Sequence, residues 1–173
     1  MKLFSLLVCL LIFSGKMVSA QVTDVFDDKI PGVWVLSSVK FGGPVDINKD
    51  GLKSDDAIKE YDSCRKDQRF YFGANKDAKT MAGSTVPGCQ SEIETYTWKV
   101  VKKKIREAHY ENGRRIVNEV EVLVLVLRST TDNDGVQYRI DNITRKEMKL
   151  RMELNDGNDS TAEARVIFKK VKE

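Results

Sequence analysis

Near the C-terminus, apolar and charged residues alternate strictly along the sequence. Met148, Leu150, Met152 and Leu154 are each separated by one charged residue. Successive side chains of a β-strand point to opposite faces, so this period of two predicts a strand with one buried face. Short turns rich in Gly, Asn and Asp separate other runs of this kind, and helical periodicity is almost absent. We therefore expect an all-β fold.

The same signals predict eight or nine strands along the chain. Strands joined by tight turns run antiparallel, and an up-and-down meander of this size removes its exposed edges by closing into a barrel. An open sandwich is the alternative. The predicted strands lie over 33–41, 67–74, 77–81, 92–102, 105–110, 116–128, 136–142, 148–154 and 164–169.

The first twenty residues have the pattern of a signal peptide. Lys2 precedes an apolar run, and Val18 and Ala20 supply the small residues expected before a cleavage site. We expect cleavage after Ala20, export to the periplasm or the extracellular space, and a flexible lead-in over 21–31. The apolar run is too short to span a bilayer, which takes about 20 residues. No later stretch of the sequence is long and apolar enough to do so.

Residues 32–173 are expected to form one barrel domain, because a chain of this size can bury a single core. The whole sequence has 29 Lys and Arg residues against 26 Asp and Glu residues, and Lys2 and Lys16 belong to the signal peptide. This near balance of charge gives no electrostatic reason to expect nucleic acid as a partner.

Two cysteines, Cys64 and Cys89, lie outside the signal peptide. An even pair of cysteines in an exported chain predicts a disulfide. Closing a loop of about 25 residues stabilises the folded state by roughly 3 kcal/mol in the chain-entropy model. The alternative is a reactive thiol, but nothing in the sequence places the only histidine, His109, beside either sulfur.

The sequence contains no recognisable catalytic motif, and we do not expect an enzyme. It lacks a Gly-x-Ser-x-Gly element and a glycine-rich phosphate loop. Glu92 and Glu94 can share one face of a strand, but paired carboxylates on a solvated strand are ordinary. Binding is therefore the expected class of function.

A loop rich in carboxylates follows the first predicted strand and matches part of a calcium-binding pattern. Oxygen-bearing residues stand at its first, third and fifth positions, a glycine at the sixth and a backbone carbonyl at the seventh. Carboxylate and carbonyl oxygens are the hard ligands that calcium prefers. The ligands expected from this pattern are Asp46, Asn48, Asp50, Leu52, Ser54 and Asp56.

The twelfth position of this loop departs from the pattern. Ala57 stands where calcium loops carry a bidentate glutamate. Asp56, one residue earlier, is the expected substitute, and Asp55 and Glu60 are the alternatives. With an incomplete ligand set, binding is expected to be weak, with a Kd of about 10⁻⁴ to 10⁻³ M. The other interpretation is a plain turn without metal, since Asp, Asn and Gly favour turns.

Several motifs along the chain resemble those of a known family. Gly32-x-Trp34 opens the first predicted strand. Further matching segments are the loop over 46–54, Cys64-x-x-Asp67, Cys89 ahead of Trp98, Tyr138-x-Ile140-x-x-Ile143-Thr144 and Met148-x-Leu150. Together they resemble the small lipocalin-like domains exported by Bacteroidota, in which the tryptophan closes one end of the barrel. The resemblance covers nearly the whole chain after the lead-in.

The resemblance implies a calyx-like barrel, and we expect it to hold a small apolar molecule. The residues expected to line its interior are Trp34, Phe70, Phe72, Tyr96, Trp98, Tyr138, Met148, Met152 and Phe168. The alternative is a barrel filled by its own side chains. Such a solid barrel would recognise a protein or a glycan through the loops at 46–63 and 84–88.

Overall fold

The computed structural model describes residues 24–44, 46, 49–83, 85–131, 135–155 and 161–172. Within these ranges, eight antiparallel strands form one up-and-down sheet, which closes in a ring because β1 pairs with β8. The strands are β1 (Gly32–Lys40), β2 (Arg69–Phe72), β3 (Asp77–Ala82), β4 (Glu92–Glu111), β5 (Arg114–Ser129), β6 (Gly135–Ile143), β7 (Glu147–Asn155) and β8 (Thr161–Lys170). This confirms the predicted all-β, up-and-down architecture. The predicted signal peptide, 1–20, lies outside the described residues.

Helices are minor elements of the described chain. They are α1 (Asp24–Asp27), α2 (Ala57–Glu60) and α3 (Ser63–Lys66). Within the described ranges, none is long and apolar enough to cross a membrane.

One strand differs from its prediction. The sequence pattern predicts two strands at 92–102 and 105–110, whereas β4 runs through both without interruption. Lys102 Nζ lies 2.8 Å from Glu121 on β5, and Lys104 Nζ lies 3.5 Å from Glu119. Cross-strand pairs of opposite charge stabilise a sheet, so the lysine run continues the strand rather than ending it.

The outer part of the β4–β5 hairpin extends beyond the ring. In the described residues, β3 pairs with β4 only as far as Thr97, and β6 pairs with β5 only from Val124 onward. We call the two-stranded extension over residues 101–123 the arm. At its tip, Asn112 and Gly113 both have positive φ, at 49° and 75°. Two such residues make the type I′ turn that matches the twist of a hairpin.

The lower end of the ring, where β1 begins, is closed by a buried tryptophan. Trp34 is completely buried, and its indole Nε1 donates a hydrogen bond to the carbonyl of Ile30 at 2.7 Å. The ammonium of Lys170 lies 5.2 Å from the centre of the indole and donates to the carbonyl of Pro31 at 2.5 Å. The apolar ring of this indole is thus buried beneath a cation, and its polar N–H has a hydrogen-bond acceptor.

A second tryptophan, Trp98 on β4, repeats this arrangement with the connection between β2 and β3. The indole of Trp98 donates to the carbonyl of Gly73 at 2.9 Å, and Lys76 Nζ lies 3.9 Å from the ring centre. Phe72 meets Trp98 edge to face, with ring centroids 6.1 Å apart. The two tryptophans form the packed floor of the barrel.

The lead-in, expected to be flexible over 21–31, contributes to this floor in its described part. The backbone N–H groups of Lys29 and Ile30 donate to the carbonyl of Phe26, and the Ile30 side chain is fully buried. The physical reason is that a buried indole N–H requires an acceptor, which the Ile30 carbonyl supplies. The ordered floor therefore begins before the first strand.

Candidate functional site

The upper half of the barrel encloses a cavity of about 320 Å³ that is partly open to solvent. All eight strands contribute to its wall. Its apolar lining consists of Leu36, Val39, Phe41, Phe70, Leu127, Val136, Met152, Val166 and Phe168. Its polar lining consists of Tyr61, Gln68, Thr80, Glu94, Tyr96 and Tyr138. We call this space the upper cavity.

The structure divides the expected interior residues between the cavity and the core. Five of the nine line the upper cavity: Phe70, Tyr96, Tyr138, Met152 and Phe168. The other four belong to the packed core: Trp34, Phe72, Trp98 and Met148. Strand alternation identifies which side chains point inward, but it does not distinguish inward residues that fill space from those that border it.

One side of the upper cavity carries a carboxylate with two hydroxyl donors. The phenol of Tyr96 donates to Glu94 Oε2 at 2.5 Å, and Thr80 Oγ1 donates to the same oxygen at 3.3 Å. Burial raises the pKa of Tyr96 to about 12, and the hydrogen bond to Glu94 acts in the same direction. At neutral pH Tyr96 is therefore an uncharged donor, and Glu94 is the acceptor of the pair.

Tyr138 provides a second polar group on the cavity wall. Its ring meets Phe168 edge to face at 6.5 Å, and Phe168 meets Phe70 in the same way at 4.8 Å. Burial raises the pKa of Tyr138 to about 12, with a smaller contribution from Tyr61. The cavity thus combines an aromatic wall with neutral hydroxyl groups.

Sequence reasoning missed several lining residues. Glu94 has the same parity along β4 as Tyr96 and Trp98, so the alternation alone would have placed it inward. Tyr61 and Gln68 lie outside the strands, where no periodicity indicates direction. Only the packing of the connecting segment over the barrel brings them to the cavity.

The wall of the barrel has a gap beside this cavity. Among the described residues, the pairing of β6 with β7 ends at Arg139 and Arg151, although both strands continue toward the upper end. A groove of about 490 Å³ follows the outer wall there, and Val136 and Met152 line both the groove and the upper cavity. The arm reaches this region, because Glu107 forms an ion pair with Arg139.

The carboxylate of Asp56 anchors the connecting segment to β1. It accepts hydrogen bonds from Ser38 Oγ at 2.6 Å and from the backbone N–H groups of Val39 and Ile58 at 2.9 and 3.2 Å. Burial alone would raise the pKa of Asp56, but these hydrogen bonds outweigh it and hold the pKa below its ordinary value. Asp56 is thus the N-cap of α2, and its oxygens are engaged away from the expected calcium loop.

The other expected calcium ligands have different surroundings. Asp46 Oδ2 accepts from the Gly51 N–H at 3.1 Å, and Asp50 Oδ1 accepts from the Leu52 N–H at 2.8 Å. The Leu52 side chain is 71% exposed, and Ser54 Oγ accepts from the Asp56 N–H at 3.2 Å. Asn48 lies outside the described residues.

A cluster of three carboxylates forms in this loop. Oxygens of Asp46, Asp50 and Glu60 all lie within 4.8 Å of one another. Glu60 is the last residue of α2, which Asp56 holds against the end of β1. The structure therefore brings Glu60 to the loop, in the place that the sequence pattern assigned to Asp56.

The disulfide between Cys64 and Cys89 is present, as the sequence predicted. It links α3 to the connection between β3 and β4. Asp67 reinforces this link by accepting hydrogen bonds from Thr85 Oγ1 at 2.6 Å, the Thr85 N–H at 2.8 Å and the Gly83 N–H at 2.7 Å. The hydrogen bonds from Thr85 hold the pKa of Asp67 below its ordinary value.

We compared the chain with known protein families, curated proteins and solved structures. No family model, curated protein or solved structure matches the chain. The lipocalin-like resemblance stays a prediction from motifs, and function is inferred from the geometry of the cavity and the loops.

Proposed function

We propose that this protein is an exported, non-catalytic binding protein that holds a small, mostly apolar molecule in the upper cavity. The observation that supports this is the cavity itself, about 320 Å³ in volume and walled by side chains from every strand. Ligand sites are typically apolar clefts of about 300–1,000 Å³ with a few convergent polar groups. The upper cavity is at the lower end of that range, so its ligand is small.

The lining indicates the chemistry of the ligand. The aromatic and aliphatic wall suits an apolar body, which is stabilised by roughly 25 cal/mol for each Å² of apolar surface removed from water. Glu94 is an acceptor at one side of the cavity and suits a hydroxyl or amine donor on the ligand. The tryptophan floor below limits how deeply a ligand can enter. A compact molecule with one hydrogen-bonding end satisfies all three conditions.

Binding can be measured with N-phenyl-1-naphthylamine, a neutral aromatic probe that carries one N–H donor and fluoresces in apolar surroundings. We expect saturable binding with a stoichiometry of one. Val136→Trp places a large side chain at the rim of the upper cavity, so it should weaken binding by about tenfold or more, equivalent to at least about 1.4 kcal/mol.

The matched control is Val117→Trp, the same substitution at a half-exposed position of the arm. It should bind the probe like the unchanged protein. Equal loss of binding in both variants, or no saturable binding by the unchanged protein, would rule out the cavity as the site. Native mass spectrometry of protein from its own source then identifies a co-purified molecule by its mass.

A second candidate function is recognition of a partner protein, and the arm favours it. In the described residues, neither outer edge of the arm has a strand partner. Tyr110 and Val117, which lie on the same face of the hairpin, are 76% and 49% exposed. Unpaired strand edges are templates for pairing with another chain.

The two functions make different predictions for one variant. Deleting residues 105–120 and joining the partners Lys104 and Glu121 through Asn-Gly shortens the arm without removing a residue that lines the upper cavity. If the protein is a carrier, probe binding should persist in this variant. If it acts through the arm, a stoichiometric partner captured by the full chain should be lost.

A further inference from the structure

The three-carboxylate cluster of Asp46, Asp50 and Glu60 has an unusual environment for surface acidic groups. Glu60 is only 8% exposed. Its Oε2 atom and the Oδ1 atom of Asp46 are buried without a hydrogen-bond partner. Burying an ionised carboxylate oxygen without a partner destabilises the folded state. A compensating group would remove this destabilisation.

In the described part of the chain, no Lys or Arg side chain forms a salt bridge with Asp46 or with Glu60. The proximity of the three carboxylates adds mutual repulsion to the cost of burial. A bound cation would remove both penalties at once.

The loop holds its carboxylates in place by hydrogen bonds to its own backbone. Asp46 uses Oδ2 for the Gly51 N–H, and its buried Oδ1 has no hydrogen-bond partner. Gly51 has a φ of +87°, a conformation that side-chain-bearing residues rarely adopt. This tight turn brings Asp50 back toward Asp46.

We propose that Asp46, Asp50 and Glu60 bind a divalent cation, and that the cation is Ca²⁺. The cluster offers only hard oxygen ligands, which favour Ca²⁺ or Mg²⁺ over zinc or copper. An irregular loop suits Ca²⁺, because Mg²⁺ demands near-ideal octahedral geometry. Backbone carbonyls and water complete the coordination. This site is independent of the proposed carrier function, because none of its three residues lines the upper cavity.

Thermal unfolding of the purified protein tests the site. With a Kd of about 10⁻⁴ to 10⁻³ M, 10 mM Ca²⁺ should raise the Tm by roughly 3–8 °C relative to EDTA. Mg²⁺ at the same concentration should raise it much less, and sodium chloride at matched ionic strength should not reproduce the shift. A Tm that does not respond to Ca²⁺ would overturn the proposal.

Two variants and a control assign the effect to these residues. Glu60→Gln keeps the shape of the side chain but removes its charge, so it should abolish the Ca²⁺ shift and raise the Tm in EDTA. Asp50→Asn, at an exposed position, should also abolish the shift and serves if Glu60→Gln does not fold. Asp55→Asn removes one charge from the same loop outside the cluster and should keep the full shift.

Isothermal titration of Ca²⁺ gives the stoichiometry for each variant. One site in the unchanged protein and in Asp55→Asn, with none in Glu60→Gln and Asp50→Asn, supports the proposal. A shift that survives both cluster variants, or one that Asp55→Asn removes equally, would show a diffuse charge effect and would refute it.

Discussion

The two ends of the barrel are built from the same alternating strands but differ in how their interior is filled. At the lower end, Trp34 and Trp98 fill the interior, and each indole N–H donates to a backbone carbonyl. At the upper end, inward side chains leave a cavity of about 320 Å³ that includes Glu94 and Tyr96. Large buried side chains therefore pack the lower half, whereas the inward side chains of the upper half border open space.

The segments that connect the strands also differ between the two ends, in length and in what holds them. At the lower end, β2 and β3 are joined by four residues, 73–76, and β6 and β7 by three, 144–146. At the upper end, the long segment between β1 and β2 is held by the Asp56 cap, the Cys64–Cys89 disulfide and Asp67. These polar and covalent links add to the apolar packing of this segment, in which Ala57 belongs to the core and Phe41 and Ile58 pack against it.

Truncating a side chain in each half should show the largest contrast. Trp34→Ala should lower the free energy of unfolding by about 4 kcal/mol, because it opens a large void in the packed floor. Met152→Ala should cost only about 1 kcal/mol, because Met152 borders a cavity that already exists and is only partly buried. Urea unfolding measures both values. Equal losses would contradict the division into a packed and an open half.

If Trp34→Ala does not fold, Trp34→Phe provides the same comparison at smaller amplitude. It removes the hydrogen bond to Ile30 and part of the ring volume while it keeps the site aromatic. Trp34→Phe should still lower the free energy of unfolding by about 1 kcal/mol more than Met152→Ala does.

Removing the disulfide should affect the upper end and leave the floor intact. Cys64→Ser with Cys89→Ser should lower the free energy of unfolding by roughly 3 kcal/mol, and the Tm by about 10 °C. Near-ultraviolet circular dichroism of the two buried tryptophans should be unchanged in the folded variant. A changed tryptophan signal would mean that the floor depends on the upper loops.

Acid should weaken the upper connections before the floor. Folding lowers the pKa of Asp56 and of Asp67 below the ordinary value of 3.8, so protonation favours the unfolded chain. The stability that these carboxylates contribute is complete well above pH 3.8 and is lost as the pH falls through it toward the lower folded-state values. Denaturant unfolding between pH 6 and pH 3 measures this loss.

Asp67→Asn should flatten that pH dependence and reduce stability at neutral pH, since the charged acceptor of the Thr85 and Gly83 hydrogen bonds is lost. Asp28→Asn, at an exposed position on the opposite end, serves as its control and should keep the full acid slope. An unchanged slope in Asp67→Asn would show that this carboxylate is not the source of the acid sensitivity.

The strands were largely predictable because alternation is a local property. The pattern at 148–154 predicts β7 within one residue at each end, and Asn112-Gly113 predicts the hairpin turn. The pattern does not predict the continuous course of β4, because nothing local shows that Glu119 and Glu121 lie opposite the lysine run. Cross-strand pairing is a long-range property and leaves no local signal.

The acidic loop at the candidate metal site is likewise only partly predictable from local sequence. Its composition and glycine position are visible in the sequence, and Asp46 and Asp50 follow directly from them. The pattern offers Glu60 only as an alternative to Asp56, because spacing favours the residue nearest the twelfth position. The competing demand for Asp56 as an N-cap bonded to Ser38 becomes visible only when α2 lies against β1.

Periodicity, turn chemistry and a single cysteine pair are enough to predict an antiparallel meander, the inward face of its strands and the disulfide. The closure of the ring, and the division of inward side chains between core and cavity, are visible only in the tertiary structure. The tertiary structure also selected the carboxylate that joins Asp46 and Asp50. These outcomes depend on the distance between elements far apart in the chain, and a one-dimensional pattern contains no information about distance.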